Sequence, residues 1–116
     1  MKTILIKDSS HLFRSGLKEI LKIFPNVRVF DSTENELYID LEIDIIIADI
    51  QEKDKTRTSL VKELKNYAPD SKMIVFTTKD NYHLKDDVLR TGADYFLTKE
   101  KDYGVLIDIL ENCLAA

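Results

Sequence analysis

At 116 residues the chain is one domain's worth of sequence, long enough to bury a single sizeable core. Apolar residues make up 44% and charged residues 33%, an ordinary globular balance. The net charge of -4 argues against nucleic acid as a direct partner, because phosphate binding needs a basic face.

The first apolar run, Ile4-Leu5-Ile6, has strand length and leads straight into Asp8-Ser9-Ser10. Beyond it Leu12, Phe13, Leu17, Ile20, Leu21 and Phe24 share one helical face, which predicts a first helix over 12–24, ended by Pro25-Asn26. Val27-Arg28-Val29-Phe30 reads as the second strand. Over 33–42, Leu37, Ile39 and Leu41 have an ambiguous period, read as a second helix. Ile45-Ile46-Ile47-Ala48 is the third strand, and its lack of alternation predicts cover on both faces. A charged loop follows, Glu52 to Thr58, without Gly or Pro.

Leu60, Val61, Leu64 and Ala68 mark a third helix, stopped before Pro69-Asp70. Met73-Ile74-Val75-Phe76 is the fourth strand, again without alternation. Leu84, Val88 and Leu89 mark a fourth helix, which Gly92-Ala93 should close through a residue with positive φ. Tyr95-Phe96-Leu97 is the fifth strand, and Val105, Leu106, Ile109, Leu110 and Cys113 lie along a fifth helix. Such strict alternation predicts an α/β fold: a five-stranded parallel sheet with helices on both faces and right-handed crossovers. The expected arrangement is flavodoxin-like (βα)5 with strand order 2-1-3-4-5. No linker or repeat divides the chain, so residues 1–116 are expected to form a single domain.

Sites in open parallel sheets form at the carboxyl ends of the strands. Those ends carry Asp8, Asp49, Thr77 and Lys99. The first and third strands would be neighbours about 5 Å apart, and Lys99 would sit roughly 10 Å from Asp49, within reach of a long side chain. Singly, each residue has a plain alternative: a strand-end Asp or Thr often caps the next helix, and Lys99 can be a solvated loop charge. Jointly, two carboxylates, a hydroxyl and an amine at one edge suit phosphoryl chemistry. One carboxylate can act as nucleophile, a cation can neutralise the incoming oxygens, and the remaining groups can hold the phosphoryl oxygens. Mg²⁺ is the expected cation, since it accepts one or two carboxylates, a backbone carbonyl and waters.

Across nearly its whole length, through ILIKDSSHLFRSGL, DIIIADIQ, MIVFTTKD and TGADYFLTKE, the sequence resembles the receiver domain of two-component response regulators. The first stretch is similar to the subgroup in which a helix-turn-helix output domain usually follows. The resemblance implies that Asp49 is the phosphoacceptor and that Asp8 is the first member of an acidic pair binding Mg²⁺. It further implies that the Gln51 backbone carbonyl completes the metal shell, and that Thr77 and Lys99 bind the acyl phosphate. Phe96 takes the position of the switch aromatic and Lys79 that of a residue tuning phosphate lifetime. The implied partner is a sensor histidine kinase or phosphotransfer protein. Homodimer or output contacts are implied for the face around the fourth helix, fifth strand and fifth helix.

Two positions and one loop depart from that family's pattern. Ser9 stands where the second acid, usually a direct metal ligand, is expected; its hydroxyl can coordinate but adds no negative charge. Lys7 replaces an aliphatic residue beside Asp8, and the loop IQEKDKTRT lacks the usual Pro and Gly. Fewer anionic ligands predict weak Mg²⁺ binding. Glu52 is a candidate substitute ligand, although an exposed loop acid is the plainer reading. Two functions therefore compete: a phosphorylated receiver, not an enzyme beyond its own phosphorylation and dephosphorylation, and a degenerate receiver acting as an interaction module. A flavin carrier is disfavoured because no glycine follows the first strand to cradle phosphate. An aspartate-based phosphatase would want an acid at position 51 in place of Gln51.

His11 and His83 share no motif and are expected at a helix start and in solvent. Cys113 is expected to pack as a small hydrophobe, and as the single cysteine it excludes an intrachain disulfide. The leading apolar run is too short for a secretory signal, and Asp44 and Asp49 interrupt the window 43–50, so a cytoplasmic protein without membrane contact is expected.

Overall fold

In the computed structural model, which describes residues 1–32, 42–50, 57–78 and 82–115, the first aliphatic run forms β1 (Lys2–Lys7) and leads into α1 (His11–Leu21). β2 (Val27–Ser32) and β3 (Ile45–Ala48) follow, then α2 (Arg57–Tyr67), β4 (Lys72–Thr77), α3 (Tyr82–Thr91), β5 (Tyr95–Thr98) and α4 (Tyr103–Leu114). All pairings are parallel and the strand order is β2-β1-β3-β4-β5, as the alternation predicted. The second helix expected over 33–42 lies outside the described residues, Glu42 excepted. The helices expected third, fourth and fifth are α2, α3 and α4.

Each strand alternates its side chains between two helical layers. Ile4, Ile6, Ile45, Ile47, Ile74, Phe76 and Leu97 meet Leu17 and Leu21 of α1 and Leu106 and Leu110 of α4. Leu5, Ile46, Ala48, Met73 and Val75 meet Val61 and Leu64 of α2 and Leu84 and Val88 of α3. Burial on both faces explains why β3 and β4 read as unbroken apolar runs. Each fully buried Ile or Leu contributes on the order of 1.5–3 kcal/mol of transfer free energy. Cys113 is half-buried and packs on the α1/α4 layer, as its position on the helix predicted.

Local chemistry sets the boundaries. Ser10 caps α1, its hydroxyl accepting from the Phe13 N–H at 3.1 Å. The helix stops at Leu21, three residues before the sequence boundary, and the chain then tightens into turns with Ile23 N–H donating to Ile20 O and Phe24 N–H to Leu21 O. Pro25 contributes, because it has no N–H to donate to the Leu21 carbonyl and its ring would clash with that carbonyl in a continued helix. Asn26 then adopts φ 61°, a left-handed conformation its short amide tolerates better than most side chains. Gly92 closes α3 at φ 135°, and its N–H and that of Ala93 both donate to Val88 O. At the amino edge of the sheet Asp44 accepts from Thr3 N–H and Asp94 from Met73 N–H, each at 2.8 Å, so two loop acids satisfy strand donors.

Candidate functional site

The register decides which side chains meet. Lys7 pairs with Ala48, so Asp8 and Asp49 leave neighbouring strands one step beyond the same rung and on the same face as Ile6 and Ile47. Asp49 N–H donates to Lys7 O at 3.0 Å, which carries the pairing on to the acid itself. Thr77 pairs with Thr98 at the end of β4 and β5, and Lys99 follows.

Lys99 spans the two carboxylates, its Nζ lying 2.8 Å from Asp8 Oδ2 and 3.0 Å from Asp49 Oδ2. The side chains of Asp8 and Asp49 are only 2% and 4% exposed and that of Lys99 15%, so water screens this triad far less than a surface pair. Two like charges brought together at low exposure repel, and a shared ammonium offsets that repulsion.

The surrounding backbone is tied down. Asp8 Oδ1 accepts from Ser10 N–H at 2.8 Å, so Asp8 closes the β1–α1 turn while Ser10 caps the helix. Asp8 is therefore not the helix cap: it serves the turn with one oxygen and the lysine with the other. Lys99 N–H donates to Thr77 O at 2.7 Å. Asp102 Oδ2 accepts from Thr98 N–H at 2.8 Å and from Thr98 Oγ1 at 3.1 Å, fixing the turn that presents Lys99.

Thr77 is buried at the edge, and its hydroxyl donates to Ile50 O at 3.2 Å. Phe96 is half-buried, packed on the layer of α2 and α3. Ser9 is exposed, whereas Lys7 is only 4% exposed and, pairing with Ala48, falls on the α2/α3 side of the sheet. Gln51, Glu52 and Lys79 lie outside the described residues. His11 and His83 are exposed, and His83 stacks edge-to-face on Tyr82.

The sequence reading missed Arg14 and Asp31. Arg14 is buried, donates through Nε to Asp31 Oδ2 at 3.0 Å, and through Nη1 to the backbone carbonyl of Asp8. Lys18 Nζ reaches the other Asp31 oxygen at 3.0 Å. A signal was present: Arg14 is in phase with Leu17 and Leu21 on the buried face of α1, an odd place for a cation without a partner.

Burial would raise the pKa of Asp31, but hydrogen bonds and charge from Lys18 and Arg14 outweigh it and hold the carboxyl below its ordinary 3.8. A depressed folded pKa contributes stability that is fully present above the unfolded value and lost as pH falls through the folded one. Asp31→Asn should therefore be less stable than wild type at neutral pH, with the difference shrinking as pH falls below 3.8. Urea unfolding at several acidic pH values measures this; a gap that stays constant with pH would assign the loss to packing.

The oxygen donors of Asp8 and Asp49 suit a hard cation such as Mg²⁺ in kind. Among the described residues, no group of three or more His, Cys, Asp or Glu side chains is placed to hold a metal ion. Among the described residues the donor set therefore fits Mg²⁺ in kind but is short of charge, in line with the serine at position 9.

A doubly wound parallel sheet of flavodoxin-like order thus joins two buried acids at its carboxyl edge through one lysine. Residues 4–111 match the family model described as response regulator receiver domain. The chain belongs to that family, the receiver domain of two-component response regulators. It is 32% identical over 113 residues to the transcriptional regulatory protein DegU of Brevibacillus brevis, a match covering 93% of this chain and 48% of that protein. The signal receiver domain of a DNA-binding response regulator from Colwellia psychrerythraea superposes with a TM-score of 0.88 at 15% identity, covering all of both chains. A response regulator from Burkholderia pseudomallei, solved with a phosphorylated aspartic acid and a calcium ion, gives 0.78 at 20% identity over 92% of this chain and 65% of that one. The chain spans about half the length of DegU and of the nitrate/nitrite response regulator NarL of Escherichia coli, which it also matches. No helix among the described residues is long and apolar enough to cross a membrane.

Proposed function

We propose that Asp49 accepts a phosphoryl group from a phosphohistidine on a partner kinase or phosphotransfer protein. A carboxylate oxygen of Asp49 attacks phosphorus, the P–N bond breaks, and its electron pair stays on the imidazole nitrogen, which takes up a proton. The observation that carries this reading is the Lys99 ammonium, held between two nearly buried carboxylates. It would neutralise charge as the phosphoryl oxygens arrive. Asp8, Asp49 and the Gln51 carbonyl are the groups that would hold Mg²⁺, which supplies further neutralisation of the transferring group.

Thr77 would exchange its hydrogen bond to Ile50 O for a phosphoryl oxygen, and Phe96 would follow from its half-buried position. That change would alter the face of α3, β5 and α4, where Leu89, Tyr95, Tyr103 and Val105 are exposed. The structure of the Burkholderia protein with its phosphorylated aspartic acid supports this chemistry on the fold. A cytoplasmic location, a homodimer or output contact through that face, and a helix-turn-helix domain elsewhere in the protein belong to the same proposal, in which residues 1–116 are one domain. Lys79 would tune the lifetime of the acyl phosphate.

The test is intact-mass measurement after incubation with Mg²⁺ and acetyl phosphate. Wild type should gain one phosphoryl increment and Asp49→Asn none. A second reading, the unphosphorylated interaction module, is favoured by the exposed Ser9 and the shortage of acidic ligands. No mass increment and no spectral response to beryllofluoride would establish it over the first.

A further inference from the structure

Phe13 belongs to the apolar face of α1, and a purely structural account would leave it there. Its ring, however, lies under the Lys99 ammonium, with Nζ 3.8 Å from the ring centroid. The same nitrogen touches Asp8 and Asp49, so the ammonium is fixed by an acid after β1, an acid after β3 and a π face from α1. The ring is itself wedged. It meets Phe76 edge-to-face at 5.7 Å and 62°, and Phe76 meets Tyr103 at 5.1 Å and 77°. Phe76 is fully buried, so the ring under the lysine rests on core.

We infer that Phe13 is a positioning residue whose π face holds the Lys99 ammonium at the seam between Asp8 and Asp49; this deepens the phosphoacceptor reading and rests on it. Lysine carries its charge on a flexible four-carbon stem, and two carboxylates alone leave one side of the ammonium open to water. An aromatic face attracts a cation through its quadrupole, most strongly where water is displaced, whereas an aliphatic side chain of similar size fills space without that attraction. The ring therefore confines the ammonium to the one place where it neutralises both acids. A phosphoryl group arriving at Asp49 meets a cation already in position, which lowers the reorganisation the transfer requires.

The discriminating pair is Phe13→Leu and Phe13→Tyr. Leucine keeps the site apolar but removes the π face; tyrosine keeps the face. With acetyl phosphate and Mg²⁺, Phe13→Leu should take up the phosphoryl group about tenfold more slowly and Phe13→Tyr at close to the wild-type rate. A readout independent of phosphorylation is the NMR shift of the Lys99 ε-methylene protons. Ring current should displace them upfield in wild type and Phe13→Tyr, and the displacement should vanish in Phe13→Leu. Leu110→Ala, a core truncation on α4 facing the same layer, is the control for lost stability.

An unchanged Lys99 shift in Phe13→Leu would overturn the inference. So would a rate within twofold of wild type, or an equal slowing in Leu110→Ala at matched stability loss. If wild type takes up no phosphoryl group yet the Lys99 shift responds to Phe13→Leu, positioning by Phe13 stands and the phosphoacceptor reading falls.

Discussion

Lys99→Met should unfold at a lower urea concentration than wild type, by about 2–3 kcal/mol without divalent cation, and added Mg²⁺ should recover part of the loss. Two carboxylates, 2% and 4% exposed, would be left facing each other without their shared ammonium. Removing one partner of a well-buried ion pair costs roughly 3–5 kcal/mol. The lower figure applies here because the site lies at the sheet edge and Lys99 keeps 15% exposure. Methionine preserves the stem and its packing on Phe13, so the change isolates the charge. Mg²⁺ recovers stability because it binds the folded pair of acids and not the unfolded chain. The same variant should lose phosphoryl uptake while keeping Asp49. Urea midpoints with and without Mg²⁺ check the first claim and intact mass the second; a variant as stable as wild type would mean that the acids relieve their repulsion without the lysine.

Phe76→Ala should be the most damaging single truncation near the site, costing about 3–5 kcal/mol in chemical denaturation. Phe76 is fully buried on β4, between α1 and α4, and makes edge-to-face contacts with both Phe13 and Tyr103. Aromatic pairs of this kind add about 0.5–1.5 kcal/mol each beyond the area they bury. A domain of this size has on the order of 5–15 kcal/mol in total, so the variant would be marginal at 37 °C. Phe76→Leu should recover much of that loss by filling the cavity. A cost below about 1 kcal/mol for the alanine variant would mean that α1 and α4 close over the gap, which close-packed interiors rarely allow.

The fold was legible because β3 and β4 are apolar throughout and the intervening segments carry a helical period. Two-sided burial leaves no room for alternation, so the pattern itself announces a covered parallel strand. Asp8, Asp49, Thr77 and Lys99 were legible as strand ends. The reach from Lys99 to Asp49 followed from the strand order once that order was assumed; that the same nitrogen also touches Asp8 is seen only in the structure. Less legible was anything set by side-chain direction. Thr77 turned out to donate to Ile50 O, and the cap of α1 fell to Ser10 and not to Asp8, which lies two residues before the cap position. Arg14 and Asp31 were missed because their partnership joins α1 to the edge strand β2, a contact that only the folded register creates. The tilt of the Phe13 ring toward Lys99 has no signature in the sequence.

Arg14 gives the site an asymmetry. From beneath, it holds the Asp8 carbonyl and is itself held by Asp31, while Ser10 N–H holds the Asp8 carboxylate from above. That side of the pocket behaves as an anvil. On the opposite side, the Thr77 hydroxyl makes one 3.2 Å hydrogen bond, to Ile50 O, and the Lys99 ammonium sits at the end of a stem of single bonds. On the proposed reading, a group landing on Asp49 would displace what lies toward β4 and β5 and leave β1 and α1 where they are. Information would leave this molecule in one direction, set by which wall is bolted down.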